Sequence, residues 1–252
     1  MTKFVILSLP RTGSTLLSKS LNTHPEIFCE DEIFHFSFRD YFSSNQFRFL
    51  KIPIFPKKIN YVINYPFTYL RLTNFLDKYF INKPGENFKA RGFKLMYYQT
   101  FYTPGIINYL KEKNIKVILL MRENTLRNAL SCLRAKATGI YHYLDDNEQH
   151  LLNLPKFEVN TALLKRQMNS IMYQNEKLEF IVHEMDYLKI NYEDFSDWDN
   201  TIKRIEKFLN VSYHHISVEA KKLNPDALQD MVSNYNELSS WLKINNYTAF
   251  TT

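Results

Sequence analysis

Three groups of residues in this chain have the types and spacing for chemistry on an anionic group. Pro10, Arg11, Thr12, Gly13, Ser14 and Thr15 follow the apolar run Phe4–Leu9 and precede a leucine-bearing stretch that reaches about Asn22. A buried strand, a tight turn and a helix start in that succession aim free N–H groups and the positive end of a helix dipole into one concavity. Gly13 lets the backbone approach a ligand closely. Arg11 and the hydroxyls of Thr12, Ser14 and Thr15 add donors, so the pattern predicts a phosphate cradle. Ser14 and Thr15 are expected to cap the helix, with Leu16, Leu17 and Leu21 on its buried side. The second group is Glu30, Asp31 and Glu32, with His35 close behind. Two of the acids are expected to offset a helix N-terminus, and one carboxylate near the cradle suits a general base acting on a hydroxyl; the His35 imidazole is a rival. The third pairs Arg122, at the end of the apolar run Ile115–Met121, with Ser131 on the following helix. A guanidinium and a hydroxyl outside the carboxyl end of a strand could hold a second phosphate. Lys94 lies inside a strand-like stretch, where a lysine needs a partner or an edge from which to snorkel.

The cradle is not the nucleotide-kinase form. That form needs G-x-x-x-x-G-K-[ST], whereas here there is one glycine and no Lys-Ser/Thr pair. The lysine that reaches the outer phosphates and the hydroxyl that serves Mg²⁺ have no counterparts, which disfavours metal-assisted phosphoryl transfer.

The elements that must position these groups follow from pattern. Phe4–Leu9 and Ile115–Met121 are almost wholly apolar, as expected of strands buried on both faces. Ile27–Cys29 reads as a short extended piece after His24-Pro25, and Phe88–Tyr97 as a core strand with Gly92 as a bulge. Pro104 opens a helix to about Lys113, and residues 123–139 form another, with Leu126, Ala129, Leu130 and Leu133 at core spacing. Phe157–Met185 has helical spacing. Tyr187–Tyr192 is a further strand, Glu193 and Asp194 are turn and cap residues, and Asp199–Leu209 is a helix. Residues 40–88, dense in aromatics and broken by Pro53, Pro56, Pro66 and Pro84, read as a helical aromatic-rich insertion or lid, or as plain packing. At 252 residues and 45% hydrophobic content the chain is long enough for one α/β domain over 1–252. Cys29 and Cys132 lack metal-ligand spacing and read as reduced thiols. There is no apolar run of membrane-spanning length and no basic-then-apolar leader, so a soluble, cytoplasmic protein is expected. The net charge of +6 fits an anionic ligand, and equally weak contact with nucleic acid or an acidic membrane.

PRTGSTLL resembles the loop with which sulfotransferases grip the 5′-phosphosulfate of 3′-phosphoadenosine-5′-phosphosulfate (PAPS), with arginine where many members carry lysine. HPEIFCEDEIF is similar to the segment H-P-x-[IV]-x-C-x-x-E-[IL]-F and puts Glu32 in the position of the base. G-F-K-L-M around Lys94 is a common phrase in bacterial members and implies that Lys94 faces the site. Arg122 and Ser131 match, at the spacing of the bacterial carbohydrate branch, the pair that binds the 3′-phosphate. KATGIYH resembles a phrase leading into the acceptor side, which makes Tyr141 and His142 substrate candidates beside Lys94 and His35. Residues 216–252 resemble the family's C-terminal tail and helix, with Lys222 and Asn224 as cofactor contacts.

The resemblance implies a P-loop-like three-layer α/β domain with a central parallel sheet flanked by helices. It implies sulfuryl transfer from PAPS, leaving 3′-phosphoadenosine 5′-phosphate (PAP), to a hydroxyl on a carbohydrate or glycoconjugate. The cofactor would meet Arg11, Thr12, Gly13, Ser14, Thr15, Leu16, Arg122 and Ser131, with Glu32 and Arg11 catalytic and no metal required. The expected partner is a small-molecule or glycan acceptor rather than nucleic acid, with peripheral membrane contact if the acceptor is a glycolipid. Two alternatives stand beside it: a small-molecule kinase of P-loop type, and a non-catalytic nucleotide- or glycan-binding protein.

Overall fold

The structure is a computed structural model that describes residues 1–34, 69–140, 155–216 and 227–247. Five parallel strands form its sheet in the order β2-β3-β1-β4-β5. They are β1 (Thr2–Ser8), β2 (Ile27–Glu32), β3 (Ala90–Met96), β4 (Lys116–Met121) and β5 (Tyr187–Asn191). Between and after them run α1 (Ser14–Leu21), α2 (residues 69–79), α3 (Tyr97–Tyr102), α4 (Ile106–Glu112), α5 (Thr125–Thr138), α6 (Thr161–Val182), α7 (Trp198–Leu209) and α8 (Tyr235–Ile244).

Period-2 alternation sends neighbouring residues of each strand into different cores. Phe4 and Ile6 of β1 join Ile118, Leu120 and Ile190, covered by Leu17 and Leu21 of α1 and Ile202, Ile205 and Leu209 of α7. Val5 and Leu7 join Phe93, Leu95, Val117 and Leu119, covered by α2, α4, α5, α6 and α8. Both faces of β1 are thus apolar, which is why Phe4–Leu9 is interrupted by a single polar residue, the buried Ser8. The result is a three-layer α/β fold with helices on both sides of a parallel sheet.

Several sequence expectations need correction. Gly92 is no bulge: it pairs in register with Phe4 on one side and Cys29 on the other. A Cβ there would lie 2.5 Å from the Phe4 carbonyl oxygen and 2.6 Å from its ring, so glycine is required by close strand packing. The irregularity falls in β2, where the register shifts between Glu30 and Glu32 and Asp31 is the extra residue. Consequently Glu30, Asp31 and Glu32 end a strand, and no helix among the described residues starts directly after them. Of residues 40–88, only 69–88 are described; the helix there packs Leu72 and Leu76 into the core.

Candidate active site

All five strands end on one edge, and the chain leaves β1 with β3 on one side and β4 on the other. Ligands of open parallel sheets bind in the crevice at such a reversal of strand order. The loop after β1 occupies it. Arg11 has φ 65° and Gly13 φ 87°, two left-handed residues that fold the loop back over the start of α1. Gly13 is the N-cap residue and no side chain caps the helix, so Ser14 and Thr15 are its first residues and not its caps. Their N–H groups, which lack intrahelical partners at a helix start, are left for a ligand. Thr12 is buried and donates to Leu9 O at 2.9 Å, shaping the loop.

The loop also needs glycine at position 13 for space. A Cβ would stand 2.8 Å from the rings of both Phe195 and Tyr192, which follow β5 in the 3-10 turn Tyr192–Asp197. Tyr192 in turn lies under the Arg122 guanidinium at 4.4 Å.

Arg122 and Ser131 are brought together with the loop. Arg11 Nε donates to Ser131 Oγ at 2.9 Å, and Arg122 Nη1 donates to the Arg11 carbonyl at 3.3 Å. Burial pushes both guanidiniums down from their ordinary value, and for Arg122 the nearness of Arg127 and Arg11 adds to this. Arginine keeps its proton regardless, so the site concentrates positive charge at an energetic cost that a bound anion would offset. Among the described residues, Arg122 Nε and Asn128 Nδ2 are buried donors with no hydrogen-bond partner. Asn128 Oδ1 accepts from the Cys132 thiol at 3.5 Å, and burial raises that thiol to about 11 against the lowering influence of Arg11 and Arg122. These unmet donors suit a phosphate, so the residues present fit the implied nucleotide.

On the other flank, Lys94 is 1% exposed on an internal strand, which removes the snorkelling alternative. Its Nζ donates to Thr15 Oγ1 at 3.0 Å, pairs with Asp31, and lies 3.3 Å from Glu32 Oε1. The extra residue in β2 is what lets consecutive acids reach one ammonium. Glu32 Oε2 accepts from Tyr98 OH at 2.9 Å and from Gln99 Nε2 at 2.8 Å.

Of the residues singled out in the sequence, Arg11, Thr12, Gly13, Ser14 and Thr15 share one loop with Lys94, Glu32, Arg122 and Ser131 around it. Leu16 is half-buried on α1. His35, Tyr141, His142, Lys222 and Asn224 lie outside the described residues. Sequence reasoning missed Tyr98 and Gln99, the aromatic pair Tyr192 and Phe195, and Asn128. It took Glu193 as a turn or cap residue; its carboxylate accepts the N–H groups of Glu123 and Asn124, each at 3.1 Å, and so ties the β5 turn to the segment behind Arg122.

No family model matches the chain, and no curated protein matches it. Three solved sulfotransferases are similar to it. A sulfotransferase from Alicyclobacillus acidocaldarius is 17% identical, with 96% of this chain and 92% of that one covered and a TM-score of 0.46. The sulfotransferase domain from the curacin biosynthetic pathway is 15% identical over 84% of this chain and 75% of that one, TM-score 0.49. The sulfotransferase domain from the Synechococcus PCC 7002 olefin synthase is 18% identical over 91% and 82%, TM-score 0.43. At these identities and TM-scores the likeness carries nothing about chemistry. No helix among the described residues is long and apolar enough to cross a membrane.

Proposed function

We propose that this protein is a sulfotransferase that moves a sulfuryl group from PAPS to an acceptor hydroxyl, on a carbohydrate or glycoconjugate. The observation that carries the reading is the junction at Arg11. Its carbonyl accepts from Arg122 and its side chain donates to Ser131, so the loop cradle and the second basic pocket are contiguous. A ligand with one phosphorylated arm uses half of this; an adenosine carrying groups at both its 5′ and 3′ positions uses all of it. The unmet donors of Arg122 and Asn128 support the same reading.

The loop N–H groups and the Thr12–Thr15 segment would hold the 5′ arm, and Arg122 with Ser131 the 3′-phosphate. PAPS supplies the activated sulfuryl group. Glu32, anchored beside Lys94, takes the proton of the acceptor hydroxyl. Lys94 and Arg11 are cations at the cradle mouth, suited to stabilising charge that grows on oxygen as transfer proceeds, and a single such donor contributes about 2–4 kcal/mol. Arg11 presents five N–H donors in a fork and can serve Ser131 and an anion together.

The test incubates the protein with radiolabelled PAPS and fractionated extract from its source, beside calorimetric titration of PAP and of ATP with Mg²⁺. Transfer of label together with preferential binding of PAP is expected. Preference for ATP with Mg²⁺ would replace the reading with a kinase, and PAP binding without any transfer would leave a non-catalytic binder.

A further inference from the structure

We infer that Gln99 and Tyr98 are positioning residues that decide which oxygen of Glu32 receives the proton, an inference that rests on Glu32 being the general base. The Gln99 amide has a defined direction. Its carbonyl accepts from Met96 N at 2.9 Å where α3 begins, so its NH₂ end faces Glu32 Oε2 at 2.8 Å. Gln99 is 1% exposed, and both ends of its amide are used. The Tyr98 hydroxyl donates to the same Oε2 at 2.9 Å, and burial beside that carboxylate raises the phenol well above its ordinary range, so it stays protonated.

Two donors therefore occupy Oε2, whose two lone pairs are its whole accepting capacity in the carboxylate plane. Oε1 receives neither. It lies 3.3 Å from Lys94 Nζ, and Lys94 bonds Thr15 of the cradle at 3.0 Å. The lone pair left to the base is thus on Oε1, the oxygen facing the ammonium that Thr15 of the cradle also holds. In the transfer, the acceptor O–H bond breaks and its proton goes to Oε1 while the acceptor oxygen forms the new bond to sulfur. The sulfur–oxygen bond to the 5′-phosphate breaks, and its electron pair leaves with PAP. Without Gln99 and Tyr98 the carboxylate would be free to turn and meet Lys94 with both oxygens, which points no lone pair at an acceptor. Among the described residues, the charged and titratable groups facing Glu32 are Lys94 from β3 and Tyr98 from α3, with Asp31 beside it on β2.

Gln99→Met, Tyr98→Phe and Gln99→Glu separate orientation from folding. Gln99→Glu keeps an acceptor for Met96 N–H but loses the donor to Glu32. Turnover is measured with radiolabelled PAPS and a panel of 4-nitrophenyl glycosides, PAP affinity by calorimetry, and the Gln99→Met protein is crystallised with PAP. Each variant is expected to lose about tenfold in kcat, the effect of one hydrogen bond to a charged group, with KM for PAPS and Kd for PAP within about twofold. The crystal is expected to show the Glu32 carboxylate turned. Wild-type kcat in Gln99→Met and Tyr98→Phe, an unmoved Glu32, or recovery by Gln99→Glu would overturn the inference, the last assigning Gln99 to helix capping. If the wild-type protein neither binds PAP nor transfers sulfate, the function proposed above falls, and this inference with it.

Discussion

Gly13→Ala probes the loop at its tightest point. The left-handed backbone at φ 87° costs an alanine about 1–2 kcal/mol relative to glycine. The new methyl group would also sit 2.8 Å from Phe195 Cε2 and from Tyr192 Cδ2, an overlap whose relief by ring movement costs about 1–3 kcal/mol. Together these give a loss of about 2–5 kcal/mol, or about 4–10 °C in Tm for a chain of this size. The displaced Tyr192 ring carries Arg122 on its face at 4.4 Å, so PAP affinity should fall as well. Urea unfolding and PAP calorimetry measure the two effects, and Gly13→Ala/Phe195→Leu should return only the share of the steric loss that is due to Phe195, since Tyr192 stays in place. A Gly13→Ala protein within about 0.5 kcal/mol of wild type, binding PAP normally, would refute both the backbone and the packing argument.

Arg11→Ala should cut turnover about a hundredfold or more by removing the donor shared by the two pockets; unchanged turnover in a radiolabel assay would remove Arg11 from the chemistry. Glu32→Gln should abolish transfer with PAP affinity within about threefold, whereas lost PAP binding would make Glu32 structural. Gly92→Ala should destabilise by more than about 4 kcal/mol, because the obstructing atom is a backbone carbonyl of the central strand; urea unfolding near wild type would show that β1 and β3 can separate cheaply. Glu26 is held down to about 2 by its hydrogen bond to Lys89, assisted by the Ser212 N–H. A depressed carboxylate contributes stability that is present above its ordinary value of 4.5 and lost as pH falls towards 2. The Tm advantage of wild type over Glu26→Gln should therefore shrink between about pH 5 and pH 2 and weaken in salt, and an advantage unchanged by acid would exclude the linkage.

Much of the scaffold is legible because its signals are local. Ile115–Met121 is a strand from its own composition, and the leucines of α1 are placed by helical spacing. The cradle is legible for the same reason, since strand, turn and helix start are contiguous. What the chain hides is register and distance. That Asp31 is an extra residue opposite β3 is a property of pairing, so two of three consecutive acids read as helix-start charges until β3 is placed beside them. Gln99 meets Glu32 across 67 positions. Gly13 meets Tyr192 and Phe195 across most of the chain, and a glycine in a turn already has a sufficient local explanation.

On the function proposed above, one adenosine nucleotide spans the loop cradle and the Arg122–Ser131 pocket. Calorimetry of PAP against 5′-AMP, in wild type and in Ser131→Ala/Arg122→Leu, decides whether it does. The prediction is that wild type prefers PAP by about a hundredfold, the scale of charge-assisted bonds to a phosphate, and that the double variant loses the preference. Equal affinity for the two nucleotides in wild type, or a preference that survives the double substitution, would contradict it.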